Sequence, residues 1–179
     1  MSIEIRNTAL NELELVQHIH QHAFGPDEGP VIAELLARLW QDATAKPMVS
    51  LLAIDNEDPV GHVLFTTVQI SQQPDQVKAM ILSPLAVLPA RQRSGIGTQL
   101  IESGLDRLQT SGADCVFVYG DPAYYSRTGF VPALPFGLHP PHAIEFPEGW
   151  QVQTFGDDVL ERIAGTVQCC QTLNSADNW

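Results

Sequence analysis

A strand, a loop with two arginines and a glycine-opened helix follow one another between residues 77 and 110. Residues 77–87 are apolar, as in a buried strand. After Gly95, leucine and isoleucine recur at helical spacing and predict an amphipathic helix over 95–109, which Ser111-Gly112 ends. Because the apolar stripe of such a helix must be covered by a sheet or another helix, this order predicts a layered protein containing both helices and strands.

The flanking segments predict the remaining elements of a mixed sheet. We expect strands at 3–6, 49–54, 60–70 and 115–119, and a short helix at 123–127. Helical spacing over 10–23 and 31–39 predicts two helices separated at Gly25-Pro26, with Asn7 or Thr8 as the cap of the first. Residues 132–179 are rich in proline and glycine and predict irregular chain with two short strands. The fold class is therefore α/β or α+β, a mixed sheet with helices on its faces.

Pro84 interrupts the apolar segment 77–87. Proline cannot donate to a strand ladder and is confined to strand edges, strand starts or bulges. A bulge at this position would leave the N–H groups of Leu85 to Val87 available to something other than the neighbouring strand. We therefore expect this strand to be able to bind an extended ligand that contains amides.

Gly95 and Gly97 open the predicted helix shortly after Arg91 and Arg93. The first N–H groups of a helix have no internal partner, and the helix dipole places partial positive charge there. Glycine lets a bulky anion approach this backbone closely, so the segment predicts an anion site of the kind that phosphate occupies. The alternative is a glycine turn that only packs the helix on the sheet. A Walker A loop is excluded because no Gly-Lys-Ser/Thr is present, and the dinucleotide fingerprint lacks its third glycine, where Leu100 stands.

The charge distribution agrees with a local anion site in an acidic protein. The formal net charge of the 179-residue chain is −12, which argues against nucleic acid or an anionic membrane as the main partner. Residues 59–101 nevertheless carry a net charge of +2, with Asp75 as their acid and Lys78, Arg91 and Arg93 as their bases. The basic segment coincides with the predicted anion site.

Two motifs in this region resemble the GCN5-related N-acetyltransferase (GNAT) family. Gln92-Arg93-Ser94-Gly95-Ile96-Gly97 is similar to the family's Gln/Arg-x-x-Gly-x-Gly/Ala motif, and Tyr125-Ser126-Arg127-Thr128-Gly129-Phe130 is similar to its Tyr-x-x-x-Gly-Phe segment. Gly120-Asp121-Pro122-Ala123-Tyr124-Tyr125 looks most like a subgroup of predicted bacterial acetyltransferases of unknown substrate. The resemblance implies a central mixed sheet with a bulged cofactor strand and helices on both faces.

The resemblance also implies a function. It implies an acetyl-CoA-dependent N-acetyltransferase, in which an amine of unknown identity attacks the thioester directly in a ternary complex. Tyr125 matches the position of a tyrosine that protonates the leaving thiolate; the purely structural alternative is a ring packed under the Gly129-Phe130 turn. The residues implied to contact the cofactor are Leu85, Ala86, Val87, Gln92, Arg93, Ser94, Gly95, Ile96, Gly97, Thr98 and Tyr124. A different class of function is a non-catalytic acyl-CoA-binding regulatory module of the same fold.

The chain departs from the family pattern where a general base is common. The cofactor strand contains Ile81-Leu82-Ser83-Pro84 instead of a glutamate, and Gly120-Asp121-Pro122 replaces a frequent asparagine. Glu28, Glu34 or water could replace the base, although solvated helix-face acids are the simpler interpretation of both glutamates. His18 and His22 share a helical face, yet no third ligand lies near them in the sequence, so no metal is expected.

We expect residues 1–179 to form one N-acetyltransferase domain. Within it, 1–76 would carry the acceptor side, 77–131 the acetyl-CoA-binding core, and 132–179 a C-terminal extension. Three cysteines without a CxxC motif, and an N-terminus without a basic region followed by an apolar core, predict a cytoplasmic protein. The expected partners are a small-molecule or protein amine and, as the family suggests, a second copy in a homodimer.

Overall fold

The computed structural model describes residues 3–72 and 76–179. Its strands are β1 (Ile3–Asn7), β2 (Val49–Asp55), β3 (Asp58–Ile70), β4 (Ala79–Val87), β5 (Cys115–Tyr119), β6 (Val131–Pro132), β7 (Leu138–His139), β8 (Trp150–Thr154) and β9 (Gly165–Gln168). Its helices are α1 (Leu13–Gln41), α2 (Ile96–Thr110), α3 (Pro122–Tyr125) and α4 (Val159–Arg162). The strands form a mixed sheet in the order β1-β2-β3-β4-β5-β8-β6, and β9 lies beside β3 and β7.

Both faces of the sheet are covered, which confirms the predicted fold class. On one face α1 packs through Val16, Ile19 and Leu36 against residues such as Leu64 and Phe117. On the other face the apolar stripe of α2, predicted from its spacing, is buried against a second cluster that includes Leu51, Phe65 and Val116. Successive strand residues alternate between these clusters, as the pleat of a sheet requires.

The α1 region confirms one prediction and corrects another. The chain leaves helical geometry at Gly25, where φ is 78°, so the expected break is present. The helix begins at Leu13 and not near residue 10, and the predicted cap at Asn7 or Thr8 is wrong. Asn7 instead ends β1, where it pairs with Leu51 of β2. Asn7 therefore pairs with a distant strand, although local sequence spacing favours it as a helix cap.

The bulge predicted at Pro84 is present in β4. Val63 of β3 lies opposite Leu85, whereas Phe65 lies opposite Leu82, so Ser83 and Pro84 together face Leu64. On its other side β4 pairs in parallel with β5 only from Ala79 to Ile81. Beyond Ile81 the two strands have no paired residues, and a gap opens between their carboxyl ends.

The segment 132–179 contributes more to the sheet than its composition predicts. β8 pairs along the whole of β5, from Cys115 opposite Thr154 to Tyr119 opposite Trp150. β9 adds two pairs to β3, at Gln69 and Ile70. This segment therefore completes the sheet around β5. No helix in the described ranges has the length and apolar character needed to cross a membrane.

Candidate active site

A cavity of about 490 Å³ lies between the carboxyl half of β4 and the start of α2. It is lined by Leu85, Ala86, Val87, Arg91, Gln92, Arg93, Gly95, Ile96, Gly97, Thr98, Tyr124 and Arg127. The structure thus brings together every residue that the resemblance assigned to the cofactor, except Ser94. The Ser94 hydroxyl donates to the carbonyl of Arg91 at 2.5 Å and does not line the cavity.

Free backbone amides form one wall of this cavity. In the part of the chain that the structure describes, no N–H group from Arg93 to Thr98 donates to a protein acceptor, and the first such bond of the helix is Gln99 N–H to the Gly95 carbonyl. Gly95 has a φ of 83°, a left-handed conformation that glycine adopts without strain. A run of unpaired amides at a helix N-terminus is a site for a phosphate or pyrophosphate.

The free edge of β4 forms the opposite wall. Leu88 N–H donates to the Val60 carbonyl of β3 at 2.9 Å, so alternation along the strand also turns the backbone of Ala86 towards β3. The N–H groups of Leu85 and Val87 consequently point to the side that β5 has left. The Val87 carbonyl on that side accepts a 3.0 Å hydrogen bond from the Gln92 side chain. Two amides with this orientation suit an extended ligand that itself contains amides.

Three arginines bring positive charge to the cavity, and one of them is held by a buried carboxylate. Arg91, Arg93 and Arg127 all line the cavity. An Arg91 guanidinium nitrogen lies 2.9 Å from Oδ2 of Asp55, whose side chain is 0% exposed at the end of β2. Sequence reasoning missed Asp55 and Arg127, because only the fold places them beside the glycine loop.

The adjacent tyrosines have different surroundings. The Tyr124 hydroxyl lies against Gly97, where a Cβ would collide with it, and hydrogen-bonds the Thr98 side chain. The Tyr125 ring instead packs edge-on against Phe130 and over Gly120, where a Cβ would lie 2.5 Å from Cε2 of the ring. Burial raises the pKa of both phenols, and that of Tyr125 is raised far enough to keep it protonated throughout the neutral range.

Tyr125 is not part of the lining of the 490 Å³ cavity. Its ring lies beside Gly120, the residue that follows β5 at the gap between β4 and β5. Burial of the Tyr125 side chain, with Tyr124 and Asp121 nearby, raises the pKa of its phenol. The position fits a proton donor at the gap, and it also fits the packing alternative.

Two further cavities lie near Tyr119, at the carboxyl end of β5. The larger, of about 550 Å³, is bounded by Tyr119, Gly120, Asp121, Pro122, Glu145, Phe146, Glu148, Gly149 and Trp179. The smaller, of about 80 Å³, is bounded by Ile81, Leu82, Ser83, Tyr119, Leu173, Asn178 and Trp179. Tyr119 and Trp179 border both cavities, and the smaller one lies at the bulge of β4, where the strands part.

The other sequence candidates lie outside these cavities. Glu28 and Glu34 are exposed on α1 and line none of the three. His18 and His22 are exposed as well, and Nδ1 of His22 lies 2.8 Å from the His18 carbonyl. Within residues 3–72 and 76–179 no group of three histidine, cysteine or carboxylate side chains is placed to hold a metal ion.

A family model and two curated relatives match most of the chain. Residues 4–133 match the model described as an acetyltransferase (GNAT) domain. The chain is 35% identical over 157 residues to the uncharacterized N-acetyltransferase YjhQ of Escherichia coli K12, covering 86% of this chain and 84% of that protein. It is 32% identical over 164 residues to the uncharacterized N-acetyltransferase YhbS of the same strain, covering 83% and 95% respectively.

Solved structures with ligands share the whole fold. The crystal structure of E. coli YhbS in complex with CoA aligns with a TM-score of 0.86 and 28% identity, covering 97% of this chain and 93% of that one. A GNAT family acetyltransferase from Brucella melitensis in complex with acetyl-CoA aligns with a TM-score of 0.70 and 28% identity, covering 96% and 98%. This chain therefore has the fold of these two proteins.

Proposed function

The chain belongs to the GNAT acetyltransferase family, and we propose that it transfers the acetyl group of acetyl-CoA directly to an amine bound beside it. The observation that carries this proposal is the cavity between β4 and α2, which has free amides on both walls. Direct transfer requires that both substrates be held at once, and the cavities on the two sides of β5 offer a place for each.

The residues of the first cavity fit acetyl-CoA. Its pyrophosphate would lie against the free amides from Arg93 to Thr98, with Arg91, Arg93 and Arg127 adding positive charge. Its pantetheine amides would pair with the edge of β4 at Leu85 and Val87. Tyr124 would contact the same substrate through the Gly97 side of the cavity. The relatives with bound CoA and acetyl-CoA support this placement.

The transfer forms a C–N bond and an S–H bond and breaks a C–S bond and an N–H bond. The nitrogen lone pair of the neutral amine forms the N–C bond at the thioester carbon, and the C–S bond breaks with its electron pair left on sulfur. Tyr125 would give its phenolic proton to that sulfur, and the proton lost by the nitrogen would restore the phenol through solvent. A phenol whose pKa is raised by burial is protonated at neutral pH and can donate in this way.

Backbone donors would supply the remaining stabilisation. Negative charge develops on the thioester oxygen as the amine attacks, and fixed N–H groups facing that oxygen lower the barrier. The unpaired edge of β4 is the part of the fold that presents such donors at the gap. Holding amine and thioester together adds an orientational advantage that solution chemistry lacks.

The proposal extends to the organisation of the protein. Residues 1–179 would act as one catalytic domain, in which 77–131 binds acetyl-CoA. The acceptor is a small-molecule or protein amine, and we expect the protein to work in the cytoplasm and to form a homodimer.

The proposal is tested by measuring acetyl-CoA binding and thiol release together. Isothermal titration with acetyl-CoA should show saturable binding, and a panel of primary amines should include acceptors that release CoA thiol. Binding without turnover by any amine would identify a non-catalytic acyl-CoA-binding module instead. Absence of CoA binding would overturn both functions.

A further inference from the structure

We propose that the 550 Å³ cavity beyond β5 is the acceptor site, and that it takes a protonated primary amine carried on an aromatic body. This inference rests on the proposed function, because it names the acceptor class of that same reaction. It is carried by the aromatic walls of the cavity, its unpaired carboxylates and its position beside Gly120, at the carboxyl end of β5.

The position of the cavity places an acceptor next to the proposed transfer point. Gly120 lines the cavity, and the space that a Cβ would need at Gly120 is taken by the Tyr125 ring. Tyr119 and Trp179 border both this cavity and the smaller one beside Ser83, at the bulge of β4. The first cavity lies on the α2 side of the sheet. An amine in the second cavity would approach the gap from the opposite face.

The walls of the cavity are aromatic and ordered by contacts. The Tyr119 and Trp179 rings stack with centroids 6.1 Å apart and an interplanar angle of 20°. The Trp179 indole N–H donates to the Leu173 carbonyl at 2.8 Å, which fixes the ring. The Tyr119 hydroxyl accepts the Phe146 N–H at 3.2 Å, so the loop carrying Phe146 is tied to β5. Flat aromatic surfaces of this kind bind aromatic bodies and cations.

The charge at the cavity is negative and uncompensated. Glu145 and Glu148 are exposed at its border, and neither has a hydrogen bond or an ion pair with any residue in the described ranges. Asp121 also borders the cavity, although its Oδ1 accepts the Ala123 N–H. No lysine or arginine is among the lining residues. The first cavity, with its three arginines, therefore suits an anion, whereas this cavity suits a cation.

The exposed ring of Phe146 is a further feature of this cavity that suits an aromatic ligand. It is 57% exposed, between two carboxylates in the sequence segment 145–148. A ligand with an aromatic body would bury this ring beside Tyr119 and Trp179 while its ammonium group meets Glu145 or Glu148. The ammonium proton would pass to solvent before the neutral nitrogen attacks.

The test uses three probe amines of related size and one double variant. 2-Phenylethylamine is cationic and aromatic, O-benzylhydroxylamine is aromatic but neutral at pH 7, and 2-cyclohexylethylamine is cationic but aliphatic. Their binding to the CoA-saturated protein is measured by calorimetry, and their turnover by thiol release. Glu145→Gln/Glu148→Gln removes the charge, and Glu28→Gln/Glu34→Gln removes the same charge from exposed positions that line no cavity.

We expect 2-phenylethylamine to bind more tightly than either other probe. The Glu145→Gln/Glu148→Gln variant should weaken its binding about tenfold and leave O-benzylhydroxylamine within about twofold, as expected for two exposed charge contacts. Phe146→Leu should weaken 2-phenylethylamine a few-fold. Equal binding of the three amines, or 2-phenylethylamine binding unchanged by the double variant or lowered equally by the control, overturns the assignment. Binding that behaves as expected without thiol release contradicts the proposed function and leaves the cation site standing.

Discussion

At the scale of single residues, neighbouring tyrosines of α3 divide the proposed work between binding and chemistry. Tyr124 places its hydroxyl at Gly97 and Thr98 in the first cavity, whereas Tyr125 lies over Gly120 at the gap between β4 and β5. The family motif identifies Tyr125 from sequence, but the direction of each ring depends on α3 and its contacts. Only the fold distinguishes the two.

Replacing each tyrosine by phenylalanine should separate these roles. Tyr125→Phe removes the proposed proton donor and should lower kcat about 100-fold with little change in the KM for acetyl-CoA. Tyr124→Phe removes one hydrogen bond and should raise that KM a few-fold with kcat nearly unchanged. Steady-state thiol release measures both. The opposite pattern would assign the donor to Tyr124.

The Asp55–Arg91 ion pair should show an asymmetric response to mutation. Arg91→Ala leaves the Asp55 carboxylate buried at 0% exposure and unpaired, which costs about 3 kcal/mol or more. Asp55→Asn leaves a guanidinium that is 36% exposed and can turn towards water, so its cost should be about 1 kcal/mol. Urea denaturation of the two variants measures the difference. Equal losses would mean that Asp55 is hydrated in solution.

Two buried histidines, His20 of α1 and His62 of β3, connect this helix to the sheet. Nε2 of His20 lies 2.9 Å from Nδ1 of His62, and Nε2 of His62 lies 2.8 Å from the Ser50 hydroxyl. Both rings are 0% exposed. Burial lowers the pKa of His20 to about 3, and burial together with the neighbouring His20 lowers the pKa of His62 well below its usual range.

This pair should make stability fall with acid. Between the ordinary histidine pKa of about 6.5 and the lowered values, the unfolded chain binds protons that the folded protein does not. The free energy of unfolding should therefore decrease below pH 6.5, by up to about 1.4 kcal/mol per pH unit for each histidine. His20→Leu should reduce this slope between pH 7 and 5, and the exposed His18→Gln should not. Identical slopes in both variants would contradict the burial of a neutral ring.

At the scale of elements, local sequence patterns predict α2, β5 and the bulge of β4. The helix over 95–109 and the strand Cys115–Tyr119 are set by local spacing, and the structure has both within a residue. The bulge at Pro84 follows from the missing N–H of proline. By contrast, the start of α1 and the strand β8 depend on pairing with distant strands, which local sequence does not encode.

Gly97→Ala tests the wall that α2 contributes. A methyl group at this position collides with the Tyr124 hydroxyl and fills the approach to the free amides. We expect acetyl-CoA binding to weaken at least tenfold, about 1.4 kcal/mol, while the melting temperature changes little. Ser103→Ala in the same helix is the control and should bind normally. Normal binding by Gly97→Ala would place the phosphates elsewhere.

At the scale of the whole molecule, charge is divided between two sides of β5. The acidic chain concentrates arginines at the first cavity and leaves carboxylates at the second. The sequence predicts the first of these, because Arg91, Arg93 and the glycines are neighbours along the chain. It does not predict the second, since Tyr119, Phe146 and Trp179 meet only after β8 has paired with β5.

The central claim is direct transfer of an acetyl group within one ternary complex, and two-substrate initial rates test it most directly. Thiol release is measured while acetyl-CoA and an accepted amine are varied together. Direct attack predicts double-reciprocal lines that intersect, and no thiol release from acetyl-CoA before amine is added. Parallel lines, with a burst of thiol in the absence of amine, would show an acetylated enzyme intermediate and contradict the account.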